Sequence, residues 1–298
     1  QHVVLVNKPA GVLSQKYRVL KTEGNFNNEI GVPLTLLRIR EEHEAAVVEM
    51  GISDFGEMHR LSKMVRPNIC VITNIGQCHL ENLGTREGIL KAKSEIFDYM
   101  NPKGNVFVNG DDDMLIRVNT KHGNKPVHFG FQPKNEIYAS DIINRGLSGS
   151  EAVFHIGKEV FSVKVPLPGE HMIYNALAAT AVGKSLGLSK EQIQKGIGDV
   201  QAVGGRSNVM VLTDYTLIDD CYNANPVSMK SALDVLSNAE GRKVAVLGTM
   251  GELEDYAPAM HKEVGAYAAE KGTDVLICIG KWNDCMEAGA KEGGMAEV

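Results

Sequence analysis

"ITNIGQCHLENLGTREGILKAKSEIF", residues 72–97, is the stretch whose reading decides the fold. An apolar run ends at Thr73-Asn74, Gly76 permits a tight turn, and His79 follows just past the carboxyl end of a strand. Ligands in parallel α/β sheets bind at that edge. By itself His79 reads as a turn or packing histidine. The helix after it carries the anomaly. With Ile89 at zero and about 100° per residue, Ala92, Lys93, Ile96, Phe97 and Met100 fall within about 80° of it, and Lys91 lies near ~200°. Lys93 therefore sits inside the apolar stripe, where desolvation penalises a charged amine. Two readings stand. The side chain snorkels from the stripe's edge, or it is kept unprotonated for chemistry, as a nucleophile or as a CO2-derived carbamate offering anionic oxygen. A carbamate beside His79 would suit Mg2+, which prefers oxygen ligands and keeps several waters.

Outward from this stretch, short continuous apolar runs recur at 45–51, 68–76, 104–110, 243–248 and 274–280, each followed by a turn. Most of these turns lead into a helical pattern, the texture of buried parallel strands with crossover helices. Between 127 and 167 strand-like segments come in quick succession, which reads as an added antiparallel stretch. Helices are expected over 171–187 and 189–200, the second with Ser189 and Gln192 in capping-box spacing. The fold class is α/β. A mostly parallel central sheet flanked by helices spans 1–203, and a second α/β unit spans 204–298, with the boundary at "AVGGR" (202–206). The final "AGAKEGGMAEV" supplies no closing strand, so the second unit is expected to be incomplete. Glu49, inside the apolar run "VVEMG", is the second anomaly, because an unpartnered carboxylate on a doubly covered strand is expensive. It reads as a salt-bridge partner or as a further metal ligand.

The chain has 298 residues, enough for two compact domains, and a net charge of −6 that gives no reason to expect nucleic acid. Mild acidity leaves phosphorylated substrates open where a metal or a local basic cluster bridges the repulsion. Five cysteines (Cys70, Cys78, Cys221, Cys278, Cys285), odd in number and without C-x-x-C pairs, argue against a disulfide framework or zinc knuckle. No run approaches the length of a membrane span and no signal-peptide pattern opens the chain, so a cytoplasmic protein is expected.

From about Val12 onward the chain resembles the Mur ligase family. The resemblance rests on "YRVLKTEGNFNNEIGVPLTLL" (17–37), on "EMGISDFGEMHRLSKMVRPNICVITNIGQCHLENLGTREGILKAKSEI" (49–96), and on "PGEHMIYNALAATAVG" (168–183). It continues through "LIDDCYNANPVSMKSAL" (217–233) and "VAVLGTMGELEDYAPAMHKEVG" (244–265). Each motif is weak alone; in this order and at this spacing they are specific. The resemblance implies an ATP-dependent ligase acting in peptidoglycan precursor synthesis, with a Rossmann-like second unit. ATP would phosphorylate the terminal carboxylate of a UDP-muramoyl tripeptide. The amine of D-Ala-D-Ala would then attack the acyl phosphate, a reaction that needs positioning and charge neutralisation above all.

The same resemblance implies roles for individual residues. Glu49, His79 and Lys93 would be the catalytic and metal-holding set, with two Mg2+ ions, one held through carbamylated Lys93. Asn175 would contact adenine, and Arg206 and Asp220 would close over phosphate and ribose. Asn223 and Asn225, with Tyr222, would line the interdomain cleft on the nucleotide side. Asn25, Asn27, Asn28, Thr73 and Asn74 would meet the peptide substrate. Partners would be these small molecules only, with no nucleic acid and no membrane span, and the chain would be a monomer.

The family pattern fails in places. A G-x-x-G-K-[ST] loop should precede "GVLSQK", yet "VNKPA" stands there, and Lys8 lacks the glycines that aim backbone N–H groups at a phosphate. The family's first domain is missing and Thr249 stands where an aspartate is expected. Taken literally, such a chain should bind ATP poorly and turn over nothing, leaving an inactive, ligand- or partner-binding remnant as the alternative. "VNKPAGVLS" and "HRLS" (59–62) also resemble pseudouridine synthases, but Ser62 replaces their catalytic aspartate and no basic face accompanies them. A folylpolyglutamate synthase-like member is disfavoured by "GNFNNEIG" and "YNANP".

Overall fold

The computed structural model describes residues 2–4, 9–77, 79–120, 123–202 and 204–298. Nine strands form the main sheet: β1 (His2–Val4), β2 (Val19–Lys21), β3 (Ala45–Val47), β4 (Ile69–Ile72), β5 (Asn105–Asn109), β6 (Val127–Gly130), β7 (Ile137–Asn144), β8 (Ser150–Ile156) and β9 (Glu159–Val165). Their order is β2-β3-β1-β4-β5-β6-β7-β8-β9. Every pair from β2 to β7 is parallel, and only β7-β8 and β8-β9 are antiparallel. The antiparallel stretch is thus shorter than the expected 127–167. "VHFG" joins the parallel ladder, because the direction of pairing is set by a neighbour strand and not by the local alternation that the sequence displays.

Helices cover both faces of the parallel part: α1 (Ala10–Leu13), α2 (Gly31–Leu36), α3 (Glu57–Val65), α4 (Leu80–Leu83), α5 (Arg86–Ser94), α6 (His171–Ser185) and α7 (Lys190–Gly198). Side chains alternate across a strand, and the burial follows that rule. Val47, Ile69, Val71 and Phe107 share a core with Val12, Leu13, Ile173, Leu177 and Ile193 of α1, α6 and α7. Ala46, Val48, Cys70, Ile72, Val106 and Val108 share another with Leu61, Ile89, Ala92, Ile96 and Phe97 on the α3 and α5 side. Doubly covered strands read as continuous apolar runs for this reason. The capping box at α7 is present with both of its hydrogen bonds, Ser189 accepting from the Gln192 N–H and the Gln192 side chain accepting from the Ser189 N–H.

Beyond residue 204 lie the antiparallel hairpin β10 (Asn208–Val211) and β11 (Thr216–Asp219), then α8 (Pro226–Ser237), β12 (Val244–Leu247), α9 (Ala257–Glu270), β13 (Val275–Cys278) and α10 (Asn283–Glu292). β12 and β13 pair in parallel. Ala245 and Leu276 bury against Leu233, Val264, Ala268 and Met286 of the three helices, whereas Val244, Val246, Ile277 and Ile279 are exposed. Burial on both faces, expected from the apolar runs 243–248 and 274–280, does not hold for this pair. All three helices pack on the one side.

Cys70, Cys221, Cys278 and Cys285 are free thiols, and Cys78 lies outside the described residues. No helix among those residues is long and apolar enough to cross a membrane.

Candidate active site

The parallel strands deliver their carboxyl ends to one edge, and the motif residues gather there. Thr22, one residue past β2, is buried; its N–H donates to the Val47 carbonyl and its Oγ1 accepts the Glu49 N–H at 2.9 Å. Glu49 therefore stands two residues beyond β3, half-buried at the sheet edge and not within the strand. Asn27 Nδ2 donates to Glu49 Oε1 at 3.1 Å, and the Gly51 N–H donates to the Asn27 carbonyl at 2.8 Å. A Cβ on Gly51 would lie 3.0 Å from the Asn27 amide, so a larger residue there would press on the asparagine. Asn28 Oδ1 accepts the N–H groups of Ile30 and Gly31, which starts α2. Asn25 is exposed.

Two strands away, β4 ends in a clamped loop. Thr73 is half-buried and Asn74 exposed. The Ile75 N–H donates to Asp112 Oδ2 at 2.8 Å, while Arg86 Nε donates to the Ile75 carbonyl at 3.1 Å. The Arg86 fork also grips Asp113 through both of its terminal nitrogens, at 3.0 and 2.6 Å, and holds that carboxyl below the usual carboxylate range. Lys93 Nζ donates to the Asn74 carbonyl at 3.1 Å. The helical phase is as expected: Ile89 and Ala92 are fully buried, Ile96, Phe97 and Met100 nearly so, and Lys91 is exposed over the Phe55 ring. Lys93 is half-buried, with its amine brought onto the loop. The first turn of α5 packs closely on the end of α4, since a Cβ on Gly88 would stand 1.9 Å from the Leu83 carbonyl oxygen.

His79 opens α4 in the left-handed region (φ 58°, ψ 31°). Its Nδ1 is buried, and Oε2 of Glu252 lies 2.6 Å away without the alignment of a hydrogen bond.

Among the described residues no three His, Cys, Asp or Glu side chains converge on one point. Glu49 and His79 supply one carboxylate and one imidazole at the same sheet edge. That sparse protein set fits Mg2+, which is held by one or two carboxylates together with waters and substrate phosphates.

The nucleotide-side residues are more dispersed. Asn175, half-buried on α6, donates to Met172 Sδ at 3.4 Å. Beside it Tyr174 stacks on Phe131 with ring centroids 4.0 Å apart and donates to Asp111, whose carboxylate also accepts from Asn135 and the Phe131 N–H. Burial first, and the Asp111 charge second, push the Tyr174 phenol up. In the second unit the Arg206 guanidinium lies 4.1 Å over the Tyr222 ring, and Asp220 Oδ1 accepts the Ser207 N–H. Asp219, at the end of β11, accepts the Gly205 N–H; the Cys221 thiol and that amide hold its carboxyl low. Asn223 is exposed, and Asn225 caps α8 through the Ser228 N–H.

Sequence reasoning singled out neither Thr22, Arg86, Asp112 and Asp113 nor Glu252. "GDDD" (110–113) just past β5 was the available signal, acids at the ligand edge of a parallel strand. Val6, Asn7 and Lys8 of "VNKPA" fall outside the described residues.

Residues 9–183 match the model of the Mur ligase middle domain, and 205–295 match that of the Mur ligase glutamate ligase domain. The chain belongs to the Mur ligase family. It is 37% identical over 286 residues to the UDP-N-acetylmuramoyl-tripeptide–D-alanyl-D-alanine ligase of Bacillus subtilis, covering 94% of this chain and 60% of that protein. A crystal structure of MurF from Acinetobacter baumannii superimposes with a TM-score of 0.91 at 34% identity, covering 97% of this chain and 66% of that one. The MurF ligase of Thermotoga maritima, solved in complex with ADP, gives a TM-score of 0.85 at 27% identity, covering 96% and 68%. This Mur ligase chain thus spans about three fifths of the length of the Bacillus relative.

Proposed function

We propose that the chain carries the nucleotide-binding and C-terminal parts, 1–203 and 204–298, of an ATP-dependent ligase joining D-Ala-D-Ala to UDP-N-acetylmuramoyl-tripeptide. One observation carries the reading. Asn27 with Glu49 after β3, and Asn74 with Lys93 after β4, come from separate motifs and end at one sheet edge, on either side of β1. Strand spacing of about 4.8 Å puts those two ends ~10 Å apart, a span suited to a triphosphate and a carboxylate in line. The ADP complex of the Thermotoga relative and the names of the relatives support the choice of substrates.

In this reading Asn175 meets adenine, and Arg206, Asp220, Asn223 and Asn225 close on phosphate and ribose from the second unit. Asn25, Asn27, Asn28, Thr73 and Asn74 orient the peptide carboxylate toward the γ-phosphate. Glu49, His79 and a carbamylated Lys93 would hold magnesium, which when bound would neutralise charge on the transferring phosphoryl group. The chain's own contribution is alignment: the Thr22 and Asn27 bonds fix Glu49, and the Asp112–Arg86 clamp fixes the loop before His79.

A second reading, ligand binding without turnover, is favoured by the absence of G-K-[ST] from "VNKPAG" (6–11). Purified complete gene product with ATP, Mg2+, UDP-muramoyl tripeptide and D-Ala-D-Ala separates the two. Phosphate release matched by pentapeptide supports the ligase, and nucleotide binding with no product supports the remnant.

A further inference from the structure

The contact between His79 and Glu252 joins the two units of the chain at the sheet edge. Glu252 lies in the turn after β12, half-exposed, with Oε2 2.6 Å from Nδ1 of His79. Both residues hold left-handed backbone, φ 58° at His79 and 60° at Glu252. Non-glycine residues keep such conformations only where their surroundings over-determine them, and they gather at functional sites. The His79 side chain is 27% exposed, yet its Nδ1 has no exposure and no aligned hydrogen bond. The accessible part of the ring therefore excludes Nδ1, and Nε2 is the nitrogen left for a ligand. A carboxylate this close to one ring nitrogen favours the tautomer that carries its proton there, and leaves the other nitrogen free to act as a ligand.

We propose that Glu252 is a positioning residue for His79. Its carboxylate, set against Nδ1, favours the proton on that nitrogen and leaves Nε2 for a divalent cation, so the cation site is complete only while the 204–298 unit rests against the β4 loop. By linkage, cation binding favours that docked arrangement to the same degree. This rests on the cation role proposed above for His79.

The test titrates Mn2+ alone into the chain in bicarbonate buffer, followed by electron paramagnetic resonance, for the wild type, Glu252→Gln, His79→Asn and the double variant. Glutamine keeps the side-chain shape, and thermal melts check the fold. Glu252→Gln is expected to weaken Mn2+ binding about 10- to 100-fold, and to change nothing further once His79 is asparagine. Nitrogen-15 spectra of labelled histidine should show His79 as the Nδ1–H tautomer in the wild type and as a mixture in Glu252→Gln. Equal or tighter Mn2+ binding by Glu252→Gln, where His79→Asn does weaken it, overturns the positioning role alone. Unchanged binding in His79→Asn sinks the cation role of His79, and this proposal with it.

Discussion

The side-chain amide of Asn27 lies 3.1 Å from Oε1 of Glu49, so the segment 17–37 places a neutral donor on the acid that follows β3. A second carboxylate there would set two like charges in contact and raise the proton affinity of one of them. With Glu49 in its proposed metal-holding role, Asn27→Asp is therefore expected to lower kcat/KM at least about tenfold, on the scale of lost support to such a group. Phosphate release by the complete gene product measures it, and a melt unchanged within about 2 °C excludes unfolding.

Lys93 is held on the Asn74 carbonyl from a helix whose buried face is otherwise apolar. Lys93→Ala should abolish turnover, and formate, acetate or added bicarbonate should restore part of it by supplying the missing anionic oxygen. An unchanged rate in Lys93→Ala would remove the carbamate from the reading.

Ile89 and Lys91 are two residues apart on α5 and differ fully in burial. Ile89→Ala should cost about 2–5 kcal/mol, the transfer term plus the cavity left between α5 and the sheet. Lys91→Ala, which loses only an exposed contact over Phe55, should stay within about 0.5 kcal/mol. Urea denaturation followed by circular dichroism compares the two.

Asp113 has its carboxyl held low by the Arg86 hydrogen bonds, with the guanidinium charge adding to them. A carboxylate depressed in the folded state stabilises above its unfolded value, about 3.9. That stabilisation disappears as pH falls through the folded value. Asp113→Asn should therefore be less stable than the wild type near pH 6, with the difference shrinking below about pH 4. A constant difference down to pH 2.5 would show that the ion pair contributes nothing.

Cys221 is exposed, and the hydrogen bond to the Asp219 carboxylate pushes its thiol up. Since the thiolate is the nucleophile, Cys221 should react with a disulfide reagent at pH 8 more slowly than an ordinary surface cysteine. Asp219→Asn should accelerate it several-fold, while Cys70, buried beneath α3 and α5, stays unreactive until the chain unfolds.

The sequence by itself determined what depends on near neighbours. The apolar runs marked the strands, the 3.6-residue phase put Lys93 on the side of α5 that carries buried Ile89 and Ala92, and the spacing of Ser189 and Gln192 marked the start of α7. Ordered motifs carried the family, because their residue types and spacing are written in the sequence itself. Only the tertiary structure decided the rest. Thr22 meets Glu49 across 27 residues, Arg86 meets Asp113 across 27, and Glu252 reaches His79 from the other unit. Whether "VHFG" runs parallel to its neighbours, and which face of β12–β13 is left open, likewise depends on elements distant in the chain. Pairing direction, burial and ion contacts are properties of surfaces brought together, and local periodicity carries no record of which surface will arrive.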